Sequence, residues 1–375
     1  MINDEKIIKN DERAIFALRS LYSKYGYSQF KMSRFEEYDL YVKNKDFLVS
    51  DEVITFTDRS GRLMALKPDV TLSIIKNSAD KAGCVQKVYY NENVYRVSKG
   101  THSFKEIMQA GLECIGDLHS YDIAEVVLLA VKSLSLINDK YVLDISHMGL
   151  VAAIFESSGL SHDGKAKAHA CLHQKNCHEL RAICADEGIT EDNTNKLCAL
   201  IDNAGDASTV LSALSPMLTT EKEKEAFEEF RILCDVIENS GYASCINLDF
   251  SVGNDMKYYS GVVFKGYIEG IPTSILSGGQ YDKLMKKMGR TSGAIGFALY
   301  LDLLEQMDSP EEGYDIDTVL LYTEDIDPLT LTKAVEDISG AVSVLACLQK
   351  PKGINCRRIL SITTDGRIET LEDND

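Results

Sequence analysis

The sequence predicts an α+β fold: an antiparallel sheet flanked by helices, with a helical insertion and a small C-terminal α/β module. Three observations carry this. Val88 to Gly116 reads as two long strands, rich in the Tyr and Val that favour strands, joined by the polar loop Ser98–Ser103. From about Ser161 to Ser240 the chain turns charged and helix-favouring, almost free of β-branched runs. After Glu311-Glu312-Gly313, a linker by composition, strand-like runs alternate with one helical period. The expected domains are 1–310, with the insertion at about 161–240, and 314–375.

Asp11 to Tyr25 is an amphipathic helix, with Ile15, Leu18, Tyr22 and Tyr25 three or four apart, and Gly26 ends it. Ile54–Asp58 and Leu63–Leu66 make a hairpin around Ser60-Gly61. It delivers Pro68, Asp69 and Thr71 to the head of a helix, where Asp and Thr also serve simply as caps. Tyr121–Leu136 is a helix, Tyr141–Ser146 a strand and Met148–Ser157 a helix. Thr219-Thr220-Glu221-Lys222-Glu223 opens the last insertion helix with capping-box spacing. Cys245–Ser251 alternates as a strand. The C-terminal module runs Thr318–Tyr322, Leu329–Ser339, Val342–Leu348 and Arg358–Thr363, then an acidic stretch, Glu369–Asp375. It holds no glycine fingerprint for a nucleotide.

With 375 residues and 45% hydrophobic content, the chain suits one large domain or two unequal ones. No apolar run reaches the roughly 20 residues of a membrane span. The N-terminus is charged rather than signal-like, so the expected location is cytoplasmic. Ten scattered cysteines read as free, mostly buried thiols. A formal net charge of -18 opposes tRNA, whose phosphates demand a basic footprint. His169, His173, Cys177, His178 and Cys184 cluster in sequence. They lack a CxxC and a carboxylate between the histidines, and the cysteines fall at helix-core intervals. No metal is expected.

Gln109, Gly111 and Glu113 are spaced by two and therefore share one face of a strand. A Gln and a carboxylate on a buried face are costly unless paired. A ligand ammonium would pair them, and Arg96 on the partner strand adds a planar fork for an anion. A solvated antiparallel face would show the same spacing.

Tyr95-Arg96, the loop, Gln109-Ala110-Gly111-Leu112-Glu113 and Ile115-Gly116 resemble motif 2 of class II aminoacyl-tRNA synthetases, in the histidyl version. GYSQFKMSRFEEYDLY resembles motif 1, the dimerisation element, with Ser33 in place of the family's proline. Leu66-Lys67-Pro68-Asp69-Val70-Thr71 is similar to the family's Leu-Arg-Pro-Glu/Asp-x-Thr. Asn254–Phe264 resembles the histidine-specific signature at Tyr258, Tyr259, Gly261 and Phe264. It departs at Asn254, which replaces a catalytic arginine, and at Lys257, which replaces aspartate. Ser277–Leu284 resembles Gly-Gly-Arg-Tyr-Asp-x-Leu, with Gln280 for arginine. Gly293–Leu303 resembles motif 3, a glycine-rich approach to a helix, with Asp302-Leu303 for Glu-Arg.

The resemblance covers roughly 5–310 and implies a class II synthetase-like fold. It also implies a histidine-like pocket of Asp69, Thr71, Gln109, Glu113, Tyr258 and Tyr259. Of three arginines that neutralise charge during adenylation, only Arg96 remains, and removing one such donor costs roughly a hundredfold or more. The cluster Lys283, Lys286, Lys287 and Arg290 reads as a solvated helix face, and lysine does not reproduce the guanidinium fork. No catalytic residue and no cofactor are therefore expected on this chain. The pattern resembles the regulatory subunits of ATP phosphoribosyltransferase. That implies a short-form catalytic subunit as partner, in a hetero-octamer by family resemblance, self-association as a dimer, and L-histidine as effector. A divergent histidyl-tRNA synthetase and a free-standing class II-like amino-acid-binding protein are the alternatives.

Overall fold

The computed structural model describes residues 9–48, 53–79, 83–98, 101–253, 259–307 and 314–374. The chain divides into two compact units, Met1–Met307 and Asp308–Asp375.

In the first unit, helix α1 (Asn10–Lys24) buries Ala14, Leu18 and Tyr22, four apart, and stops before Gly26, which takes φ +82°. Strands β1 (Ser28–Gln29) and β2 (Phe35–Glu37) and helix α2 (Tyr38–Lys43) follow. The hairpin of β3 (Thr55–Thr57) and β4 (Leu63–Leu66) turns on Asp58, whose Oδ1 accepts from the Ser60 and Arg62 N–H groups. Because β2 also pairs with β4, the expected hairpin is part of a three-stranded sheet. Helix α3 (Thr71–Asn77) leads to β5 (Val85–Val97) and β6 (Phe104–Gly116), each 13 residues long.

Next come α4 (Ser120–Ser135), β7 (Tyr141–His147) and α5 (Met148–Ser157). The insertion supplies five helices: α6 (His162–His173), α7 (Cys177–Asp186), α8 (Glu191–Asp202), α9 (Ala207–Leu214) and α10 (Glu221–Ile237). Strands β8 (Ile246–Leu248), β9 (Val262–Ile268) and β10 (Leu276–Gln280), helix α11 (Asp282–Lys287) and strand β11 (Gly293–Tyr300) complete the unit.

The main sheet has the order β1-β5-β6-β11-β10-β9-β7-β8. It is antiparallel except at its two ends, where β1 runs parallel to β5 and β8 parallel to β7. One face packs on α4, whose Val126, Val127, Ala130 and Leu134 lie in a core with Phe264, Leu276 and Phe297. The other face carries Tyr90, Val94 and Ile115 against α3 and α11. That second face is where a polar pocket is found.

Two expectations change here. Only Ile246–Leu248 of the Cys245–Ser251 stretch is strand; Asp249 Oδ1 then accepts from Ser251 N–H and Oγ, and Phe250–Val252 turns as a 3-10 helix. The stretch resembling motif 3 is strand through Tyr300, followed by 3-10 turns over Leu301–Met307. The α10 start is as read: Thr220 Oγ1 accepts from Glu223 N–H while Glu223 Oε2 accepts from Thr220 N–H. Glu223 also pairs with buried Lys196 at 2.8 Å. Thr220→Ala is expected to lower stability by about 1 kcal/mol through loss of the cap, read as a shifted denaturant midpoint with unchanged slope.

The second unit contains β12 (Ile316–Leu321), α12 (Pro328–Ser339), β13 (Val344–Cys347), β14 (Cys356–Ile362) and β15 (Ile368–Asp373). Its sheet order is β13-β12-β14-β15, with β15 antiparallel to the rest. Asp327 caps α12 and Pro328 occupies its first position. The acidic stretch forms most of edge strand β15, where Ile368 and Thr370 favour strand and the carboxylates discourage further pairing. The Glu311-Glu312-Gly313 linker lies outside the described residues. Among the described residues no helix is long and apolar enough to cross a membrane.

Candidate functional site

The pairing register places Gln109, Gly111 and Glu113 of β6 opposite Tyr300, Ala298 and Gly296 of β11. All of these but Gly111 line one cavity of about 180 Å³, closed by Asp69, Thr71, Arg96, Tyr259 and Tyr281 among others. Lys67 sets its wall: wholly buried, it bonds Glu92 Oε2 at 2.6 Å, while its carbonyl accepts from Tyr95 N–H. The turn through Pro68 is thereby fastened to β5, and Asp69 and Thr71 face the sheet.

Both residues at the helix start have work there. Asp69 Oδ1 accepts from Leu72 N–H at 2.9 Å, which is a cap. The Thr71 hydroxyl instead donates to Glu113 Oε1 at 2.8 Å. Tyr281 donates to Glu113 Oε2 at 2.5 Å, so both carboxyl oxygens are held. Among the described residues Glu113 has no cationic partner, and burial raises its pKa to about 8 although the two hydroxyls lower it. Asp69 is also raised by burial, against the pull of Leu72 N–H and then Arg96. Gln109 is only 3% exposed. The cavity thus presents two carboxyls of reduced acidity and a buried amide, a setting that gains from a cation bearing several N–H donors.

Arg96 lies at the rim, its Nε donating to Pro68 O at 3.1 Å. Tyr259 lines the cavity beside Ser277, with which it is hydrogen bonded. Tyr258, Asn254 and Lys257 lie outside the described residues. Five of the six expected pocket residues therefore share one cavity.

Sequence reasoning passed over Tyr281 and Gly296. Tyr281 was visible only as part of Gly-Gly-Gln-Tyr-Asp, yet its hydroxyl positions Glu113. Gly296 leaves the space in which that carboxylate sits: a Cβ there would lie 1.7 Å from Glu113 Oε2. The spacing Gly293-x-x-Gly296 was the available signal.

In the basic cluster Lys283, Lys286 and Lys287 are exposed, as on a solvated helix face, and two members also meet protein groups. Lys287 pairs with Asp46 at 3.0 Å and covers the Phe47 ring; Arg290 donates to the carbonyls of Ile75 and Lys76. In the insertion, the His169 ring stacks on Phe155 and His173 Nδ1 lies 3.1 Å from Ser251 O. Cys177 Sγ donates to Asp202. Leu303, at the expected motif 3 arginine, packs against the main core.

A family model described as histidyl-tRNA synthetase matches residues 5–304. An ATP phosphoribosyltransferase regulatory subunit of Oceanobacillus iheyensis is 27% identical over 296 residues, 78% of this chain and 73% of that protein. One from Clostridium acetobutylicum is 27% identical over 309 residues, 80% of this chain and 75% of the relative. Among solved structures, an ATP phosphoribosyltransferase regulatory subunit/histidyl-tRNA synthetase from Bacillus halodurans superposes with TM-score 0.75 at 22% identity, covering 94% of this chain and 93% of that one. A histidyl-tRNA synthetase from Nostoc gives 0.68 at 16% identity, with 96% and 93% covered. These superpositions speak for the fold.

Proposed function

The chain belongs to the histidyl-tRNA synthetase family, and from that premise we propose that it is a non-catalytic regulatory subunit of ATP phosphoribosyltransferase that senses L-histidine. The observation that carries this is the split within the site. Groups suited to an amino acid converge on one cavity, while the arginine expected after Asp302 is Leu303, packed into the core. Adenylation depends on preorganised cations around the phosphates, and Arg96 alone does not supply them. The curated relatives bear the regulatory-subunit name, which supports the same reading.

In this proposal histidine places its ammonium across Asp69, Gln109 and Glu113 and its imidazole against Tyr259. Catalysis belongs to a short-form catalytic subunit, in a cytoplasmic hetero-octamer. No cofactor, metal or tRNA is assigned to this chain. Self-association is supported by the three-stranded sheet, where Phe35 and Phe56 meet edge-on at 5.3 Å and stay substantially exposed. Feedback requires histidine to prefer one arrangement of the complex, with a coupling of about 1–3 kcal/mol.

The test is calorimetric titration with L-histidine, with and without the catalytic subunit. Binding that the partner strengthens, together with absent histidine-dependent pyrophosphate exchange, is the expected result. Pyrophosphate exchange would instead identify a synthetase. Histidine binding without any complex would identify a free-standing binding protein.

A further inference from the structure

A second and larger cavity, about 620 Å³, opens on the opposite face of the sheet, between α4 and α10. Its rim is apolar and exposed: Tyr121 is 68%, Ile232 42% and Val236 36% accessible, with Leu233 buried behind them. Its floor holds His147, the last residue of β7, which is nine-tenths buried. Nδ1 of that ring accepts from Leu150 N–H at 3.1 Å, so the proton of the neutral imidazole sits on Nε2. Burial lowers the pKa of the ring to about 4 and keeps it neutral. Among the described residues none accepts a hydrogen bond from Nε2; Glu229 Oε2 lies 3.8 Å away, beyond bonding distance.

A buried N–H donor beside an exposed carboxylate matches a group that offers an acceptor and a donor together. A peptide unit does so through its C=O and N–H. The adjoining apolar walls take a side chain, and an aromatic or large aliphatic residue seated in such a recess is how interfaces concentrate their energy. Among the described residues no Lys or Arg lines the cavity, and Glu229 and Glu225 face solvent, so the complementary segment is neutral or basic.

We propose that this groove docks a short segment of the phosphoribosyltransferase catalytic subunit, which inserts one large apolar side chain and pairs its backbone with His147 and Glu229. The inference rests on the regulatory-subunit reading above. It goes further by placing the contact on the sheet face opposite the amino-acid pocket. Strand β10 separates the two: Ser277 lines the pocket and Gln280 lines the groove.

The test compares the full chain with its Val236→Glu and Ile232→Glu variants, both at exposed positions, titrated with the purified catalytic subunit and followed by sedimentation. Melting temperature is the control for folding. Affinity roughly thirtyfold weaker or worse in both, at unchanged melting temperature, is expected. Wild-type affinity in both variants would overturn the docking site and leave the regulatory reading standing. Failure of the unmodified chain to bind the subunit would overturn both. Loss of self-association in the variants, with the hetero-complex intact, would assign the groove to a second copy of this chain and overturn the proposal.

Discussion

Gly296→Ala is expected to close the amino-acid cavity and to destabilise the chain by about 3 kcal/mol or more. The added Cβ would lie 1.7 Å from Glu113 Oε2 and 2.5 Å from Leu112 O. The first contact is relieved by swinging the carboxylate away. That motion breaks the bonds from Thr71 and Tyr281 to the carboxyl, at roughly 1–3 kcal/mol for each. The second contact has no such escape, because Leu112 O belongs to the strand paired with β11 through Gly296↔Glu113. Relief there means prising β6 from β11, the seam on which the pocket is built. Denaturant unfolding and histidine titration read the two consequences separately. A wild-type midpoint with histidine binding intact would show that β6 and β11 tolerate a wider spacing than this geometry allows. Gly340→Ala is the control: the nearest heavy atom to its Cβ is 3.6 Å away, and little change is expected.

The same seam shows what could be read from the sequence. Alternation placed Gln109, Gly111 and Glu113 on one face, because the period of a strand is fixed by its backbone. The regulatory reading followed from substitutions within otherwise matching motifs. What periodicity does not encode is which distant side chain completes a local group. Tyr281 is 168 positions from Glu113 and reaches it only because β10 and β11 fold back beside β6. Likewise nothing local marks Lys67 as buried, and it is β5 that brings Glu92 against it. The short strands failed for another reason. Asp249 trades ladder bonds for its own turn, and β2 completes a sheet through three residue pairs that no local pattern announces.

Glu113→Gln is expected to separate stability from binding, and the sign follows from the raised pKa. Burial holds the Glu113 carboxyl at about 8 in the folded chain, above its ordinary 4.5. Between those values the folded state holds a proton that the unfolded state has lost, so its contribution to stability is full below about 4.5 and disappears as pH rises through about 8. Asp69, also raised, acts in the same direction. His147 and His169, both lowered to about 4 by burial, stay neutral across this window. Glutamine keeps the shape of the neutral acid and can still meet Thr71 and Tyr281. The variant should therefore match wild type near pH 5, exceed it at pH 8 to 9, and show a shallower decline of stability with pH. Histidine binding should move the other way. An ammonium favours the carboxylate, so wild-type affinity climbs towards pH 8 with release of a proton, while the variant lacks both the charge and that linkage. Loss of a hydrogen bond to a charged group, about 1.5–3 kcal/mol, corresponds to roughly ten- to a hundredfold weaker binding. Comparing the two proteins at each pH cancels the titration of histidine itself. Equal affinities would remove Glu113 from the contact with ligand. A less stable variant at pH 9 would mean that the carboxylate is better solvated than its burial implies.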